Sequence, residues 1–180
     1  MANLNLGDKA ISYDLPGVDG NQHDLSGLAD KKAVAVVFNC NHCPFAQAWE
    51  GRLIQAQHDY ADQGLAMVVI SSNDANAMPL DSFERMKKRA ELKGYPFPYL
   101  YDESQDVARA YGAERTPEIF LFDQDRRMRY HGAFDDNYER PEDVEVSFFR
   151  DAVESILSGR EVSLAETKPI GCIIKWKPSS

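Results

Sequence analysis

A chain of 180 residues with 43% hydrophobic content is sized for one domain, residues 1–180, with a sizeable buried core. Its 20 Lys and Arg against 29 Asp and Glu give a net charge of −9, which repels phosphate backbones and anionic lipid, so neither nucleic acid nor a membrane is an expected partner. The longest uncharged apolar runs, Ala33 to Phe38 and Leu65 to Ile70, fall far short of a bilayer span. Met1 to Asp8 has neither the basic nor the apolar stretch of a secretory signal, so the cytoplasm is the expected location.

In chain order, those two runs and Ile119 to Phe122 are β-branched or aromatic-rich and lack polar alternation, as strands covered on both faces do. Between the first two, Phe45, Trp49, Leu53, Ala56 and Tyr60 fall on one face of a helix that Gly64 closes, which predicts a right-handed parallel βαβ unit. A second helix is expected from about Asp81, with Phe83, Met86 and Ala90 inward and Gly94 as its stop. Its Arg85, Lys87, Lys88 and Arg89 read as a solvated face. After the turn Tyr95-Pro96-Phe97-Pro98 come an extended piece, Tyr99 to Tyr101, and a helix carrying Val107, Ala108 and Tyr111. Asp102, Glu103 and Ser104 supply its N-cap and first-turn acids, and Gly112 ends it. Thr116-Pro117 precedes the third run, and Met128 and Tyr130 alternate with Arg127, Arg129 and His131 as a hairpin partner. A closing helix from Glu142 or Asp143 carries Phe148, Phe149, Ala152, Val153 and Ile156. This order predicts a mixed sheet flanked by helices, with its core at about 30–158 and a packed tail over 159–180.

Three cysteines, Cys40, Cys43 and Cys172, are too few and too odd in number for a secreted disulfide framework. Cys40 stands where the first strand ends, and Pro44 lies just inside the next helix. The Cys40 thiol is therefore expected at a helix N-terminus, where unpaired N–H groups and the helix dipole lower a thiol pKa from about 8.5 into the range of roughly 3.5 to 7.5. On this reading Cys40 is the nucleophile and Cys43, one helical turn deeper, is the resolving thiol. His42 between them either stabilises the Cys40 thiolate as an imidazolium or is a plain loop histidine. Zinc is the structural rival, but a tetrahedron needs two more ligands and only Cys172 and the scattered His23, His58 and His131 remain, so no metal is expected. A proline opening a strand is an ordinary turn device. A cis Thr116-Pro117 bond would instead free backbone groups of Thr116 to pair with an extended substrate beside the cysteines.

With these residues in place, the chain resembles the thioredoxin superfamily in its peroxiredoxin-like branch, of redoxin or alkyl-hydroperoxide-reductase/thiol-specific-antioxidant type. The match runs from Leu15-Pro16-Gly17-Val18-Asp19-Gly20 to Trp176. The motifs that carry it are Asn41-His42-Cys43-Pro44, Ser72-Asn73-Asp74-Ala75, Pro96 to Glu103, and the tail Thr167 to Lys177. The resemblance implies an α/β thioredoxin-like fold with an N-terminal β extension and a helical insertion before the cis-Pro strand. It also implies thiol-disulfide chemistry at Cys40 and Cys43 and a cis bond before Pro117. The peroxiredoxin pattern Pro-x-x-x-Thr-x-x-Cys is absent. Counted back from Cys40, Val37 and Ala33 stand at its Thr and Pro positions; counted from Cys43, Cys40 and Val36 do. The aromatic residue and buried strand acid of thioredoxins proper are also missing, since Asn39 precedes Cys40 and Val34 to Val37 are apolar. Proton transfer then falls to His42, Asp74 or water. Arg115, where relatives carry another cysteine, is either a fixed positive charge near Cys40 or a surface arginine. Cys172 is either redox-active or a small buried hydrophobe.

The expected function is a thiol-disulfide oxidoreductase that needs no bound cofactor. Its substrate is a disulfide-bearing protein or a small thiol or disulfide, and a thioredoxin- or glutathione-type donor restores it. The alternatives are an antioxidant peroxidase with Cys40 peroxidatic and a peroxide as substrate, and a redox-sensing or binding module with little turnover.

Overall fold

Strands β1 (Asp14–Pro16) and β2 (Gln22–Asp24) form an antiparallel hairpin that supplies the expected N-terminal extension. The computed structural model describes residues 4–179. Met1 to Asn3, part of the N-terminal segment read above, and Ser180 of the tail lie outside the described residues. After the hairpin come β3 (Ala33–Phe38), α1 (Pro44–Tyr60), β4 (Leu65–Ser71), α2 (Phe83–Lys93), β5 (Tyr99–Tyr101), α3 (Asp106–Tyr111) and β6 (Arg115–Thr116). The remainder is β7 (Glu118–Phe122), β8 (Met128–Gly132), α4 (Phe148–Leu157) and β9 (Cys172–Ile173). The central sheet has the order β5-β4-β3-β7-β8; β3, β4 and β5 run parallel, and β7 and β8 are antiparallel. Among the described residues, no helix is long and apolar enough to cross a membrane.

β3 shows why the apolar runs do not alternate. Ala33, Ala35 and Val37 pack in one layer with Trp49, Leu53 and Ala56 of α1 and Phe149, Ala152 and Val153 of α4. Val34, Val36 and Phe38 pack in the other with Ala108 and Tyr111 of α3 and Ile174 of the tail. Every β3 residue is fully buried, so each face selects for apolar side chains, at about 1.5–3 kcal/mol per large side chain removed from water. The crossover from β3 through α1 to β4 closes at Gly64, whose φ of +111° suits a residue without a Cβ.

Several boundaries move. Asp81 does not start α2; it ends a short 3-10 turn, and Ser82 caps the helix by accepting from the Arg85 N–H at 3.3 Å. At α3, Asp102 and Ser104 accept N–H groups of the first turn as expected, while the N-cap position itself is Gln105. Asp102 accepts the N–H groups of Val107 and Ala108 while Gln105, at φ +69°, turns the chain into the helix. The closing helix begins at Phe148, because Pro141 to Asp143 form only a 3-10 turn. β4 extends to Ser71 and β7 starts at Glu118, with the Thr116-Pro117 peptide cis between β6 and β7. The tail is more than packing, since its Cys172 and Ile173 pair antiparallel with Thr116 and Arg115.

Candidate active site

α1 begins at Pro44, and its N-cap is Cys43. The helix N-terminus expected at Cys40 is therefore at Cys43, and Cys43 is not one turn deeper; Cys40 lies upstream in the connection from β3. The difference arises because Cys43 precedes Pro44, whose ring disfavours α backbone in the residue before it, so Cys43 stays extended at φ −69° and ψ 127° and the helix starts at Pro44. Asn41 and His42 lie in the connection upstream. Both of their backbone N–H groups donate to Asp81 Oδ1, at 2.7 and 3.1 Å, and Asp81 is fully buried. Asp81 Oδ2 takes His42 Nδ1 and the Asn73 amide, the latter at 2.9 Å. Asn41 is held further through its own side chain, by the Tyr99 hydroxyl at 2.7 Å and the Leu80 carbonyl at 2.9 Å. These contacts hold the Asn41–His42 loop against a buried carboxylate through charge-assisted hydrogen bonds.

The three sulfurs form one cluster against the cis proline. Cys43 Sγ lies 2.7 Å from Cys172 Sγ and 3.3 Å from the Thr116 carbonyl oxygen, and Cys40 Sγ lies 3.3 Å from Thr116 Oγ1. Only a neutral Cys43 thiol can use that carbonyl. Against this one acceptor stand the Cys40 thiol, the Cys172 thiol and the Ala46 N–H, which lower Cys43 from an ordinary 9.0 to about 4, with burial opposing. Cys40 is pushed upward, first because its proton is shared with Cys43, then by burial and by the negative charge of Asp81. Cys172 is pushed up to about 11 by burial and by the neighbouring Cys43 sulfur, while Lys175 and Arg115 pull it down. The unpaired N–H groups of the helix are thus on the Cys43 side, which favours ionisation there.

The other candidates sort themselves around this cluster. Thr116 touches the sulfurs of Cys40 and Cys43, and its peptide bond to Pro117 is cis. His42 turns to Asp81, and the charge acting on Cys40 is that of Asp81. Asp74 is not brought to the cysteines. Its N–H donates to the Lys175 carbonyl at 2.8 Å and its Oδ1 accepts from the Asn76 N–H, so it holds the tail. Arg115 donates to the Gly171 carbonyl at 3.0 Å, and its charge is felt at Cys172. Asp81 was read only as a helix-starting acid, and nothing in its local pattern marks it as a clamp. Asn73, which entered only as part of the Ser72-Asn73-Asp74-Ala75 motif, donates to Asp81 and accepts the Lys175 N–H at 2.8 Å, tying the cysteine loop to the tail. Donor atoms of Cys40, His42 and Asp81 lie within 4.8 Å of one another, a spacing that suits a cation. Both Asp81 oxygens are already engaged by N–H donors, so the chemistry of this cluster is that of a loop clamp.

Similarity to known proteins extends along nearly the whole chain. A hypothetical protein of Sinorhizobium meliloti 1021 is 42% identical with a TM-score of 0.93, covering 99% of this chain and 98% of that one. An uncharacterized conserved protein of Geobacillus kaustophilus is 44% identical with a TM-score of 0.92, covering 98% and 95%. The thioredoxin domain of a thiol-disulfide oxidoreductase of Bacteroides vulgatus, 19% identical, has a TM-score of 0.66 over 86% of this chain and 99% of that one, which shows the fold to be thioredoxin-like. The AhpC/TSA family profile matches residues 6–131. With the cysteine-bearing loop and the cis-Pro strand inside that match, the chain belongs to the AhpC/TSA family, whose members are redox proteins of peroxiredoxin-like type.

Proposed function

We propose that the protein is a thiol-disulfide oxidoreductase that cycles Cys40 and Cys43 between dithiol and disulfide, with Cys43 the nucleophile and Cys40 its resolving partner. These roles are exchanged relative to the sequence expectation. The observation that carries the reading is the N-cap position of Cys43, which favours its thiolate, while the Cys43 sulfur, burial and the Asp81 charge push the neighbouring Cys40 thiol upward so that it can resolve. Thr116 and cis-Pro117 flank the pair, so the polypeptide edge next to the sulfurs is the one suited to an extended cysteine-bearing segment. The substrate is then a protein or small-molecule disulfide, and an external dithiol returns the pair to the reduced state.

The test is turnover of hydroxyethyl disulfide with dithiothreitol as donor, followed beside mass mapping of the thiols and the fluorescence of Trp49 on α1. Turnover with a Cys40–Cys43 disulfide, both lost in Cys43→Ser, is the expected result; inertness of the wild type toward disulfides overturns the reading. One observation favours a second reading, a peroxidase with its peroxidatic thiolate in this pair. The Thr116 hydroxyl, 3.3 Å from Cys40 Sγ, stands near where the family pattern lacks a hydroxyl. A reaction with hydrogen peroxide far faster than that of an ordinary thiolate, leaving sulfenic acid at Cys43 or Cys40, would replace the first reading by this one.

A further inference from the structure

The edge of Thr116 that a substrate strand would use is already occupied, and by the chain itself. Cys172 pairs with Thr116 and Ile173 with Arg115 in an antiparallel register. The fit is close at Gly171, where a Cβ would stand 2.1 Å from the Thr116 carbonyl oxygen and 2.6 Å from its carbon, so only glycine lets the tail approach. Arg115 anchors the strand on one side through the Gly171 carbonyl. On the other side the Ile174 N–H donates to the Glu114 carbonyl at 2.9 Å, and Lys175 is held by Asn73 and by the Gln105 amide at 2.9 Å. The Lys177 N–H reaches Gln105 Oε1 at 2.9 Å, and Trp176 lies under the Arg109 guanidinium. The tail is therefore fastened on both sides of Cys172.

This fastening decides how an outside sulfur meets the pair. Cys40 and Cys43 are 2% and 0% exposed, whereas Cys172 is only half-buried and touches Cys43. Clearing the tail would break the contacts on both flanks together, whereas reaction at Cys172 breaks none of them. We propose that Cys172 is the exchange thiol of the site, a tethered stand-in for a substrate cysteine, through which the buried Cys40/Cys43 pair trades its disulfide with external thiols. The proposal rests on the thiol-disulfide reading above.

The steps balance as follows. With the pair oxidised, the Cys172 thiolate attacks Cys43 Sγ, the Cys40–Cys43 bond breaks, and Cys40 leaves as a thiolate that takes up the proton Cys172 gave up. An external thiolate then attacks Cys172 Sγ and Cys43 leaves as a thiolate. A second external thiol resolves the mixed disulfide on Cys172, so two thiols are oxidised to one disulfide and the pair is reduced. Oxidation of the pair also readies Cys172. Burial still favours its protonated form, but the Cys43 thiolate that adds to this is then consumed in a bond, while the Lys175 and Arg115 charges that favour its ionisation remain.

The experiment uses the full chain oxidised to one disulfide, chased with reduced glutathione, quenched with acid and alkylated, and mapped by peptide mass. The expected result is a Cys43–Cys172 disulfide and a glutathione adduct on Cys172 before the pair is reduced. Reduction should slow about tenfold or more in Cys172→Ser, which leaves the tail fastened over the pair and removes only the sulfur. Cys40→Ser provides a check independent of that variant. On mild oxidation it should lose two hydrogens and carry a Cys43–Cys172 disulfide. A first adduct on Cys43 or Cys40 with Cys172→Ser reduced at the wild-type rate overturns the relay alone. An oxidised wild type that neither glutathione nor dithiothreitol reduces overturns the thiol-disulfide reading and the relay with it.

Discussion

The two sides of the cysteine loop present opposite surroundings to sulfurs only three residues apart. On the Cys40 side a buried carboxylate, Asp81, gathers the N–H groups of Asn41 and His42, and its charge opposes ionisation of Cys40. On the Cys43 side a helix begins, the Ala46 N–H faces the sulfur, and a second thiol comes in from the tail. The difference teaches that spacing does not decide which cysteine ionises. The position at which the loop joins the helix does, because the unpaired N–H groups belong to the N-cap and not to the residue that ends the strand.

The largest effect should come from removing the favoured thiolate. Cys43→Ser should lower turnover of hydroxyethyl disulfide by on the order of 1000-fold, whereas Cys40→Ser should lose only about tenfold if Cys172 substitutes for Cys40 as the partner of Cys43. Equal losses would erase the contrast between the two sides.

Asp81→Asn attacks the clamp. Loss of the charged acceptor for four N–H donors in a fully buried place should destabilise the fold by about 2–4 kcal/mol, read from the midpoint of urea unfolding at unchanged slope. The same change removes the charge that holds the Cys40 proton on, so alkylation of Cys40 at alkaline pH should accelerate.

Acidification sharpens the comparison from the other side. Cys43 is lowered from 9.0 to about 4 on folding, so its contribution to stability is complete above pH 9 and is lost progressively as the pH falls toward 4. Cys40 and Cys172 are shifted upward and add nothing to this trend below 9. The reduced protein should therefore lose more thermal stability than the disulfide form between pH 8 and pH 5, and its thiolate ultraviolet absorbance should persist down to about pH 4. A thiolate signal that vanishes well above this value would move the nucleophile away from Cys43.

His42→Ala should have the smallest effect. It deletes one of four donors to Asp81, at a cost of about 1 kcal/mol, and leaves the alkylation rate of Cys43 within about twofold of wild type. A large fall in that rate would restore the imidazole to the role of tuning the thiolate.

Much of this arrangement is legible in the chain. The apolar runs identify β3, β4 and β7 because a strand covered on both faces admits few polar side chains, and Phe45 to Tyr60 mark α1 through their helical spacing. The cysteine pair and Thr116-Pro117 stand out by residue type and place, and the cis bond is present. Helix starts at 3-10 turns are less legible, as at Asp81 and at Pro141 to Asp143, because acids at a helix start and acids in the preceding turn look alike in one dimension.

The sequence by itself determined the sheet, the helix that follows the first strand, the cysteine pair between them and the place of Thr116-Pro117, all of which depend on local periodicity and composition. Tertiary structure alone decided that Asp81 clamps the loop and that Cys172 meets Cys43 on the Thr116 edge. Those contacts join residues as far as 129 positions apart. Their chemistry comes from which buried donors and charges the fold brings to a sulfur, and no window along the chain contains that information.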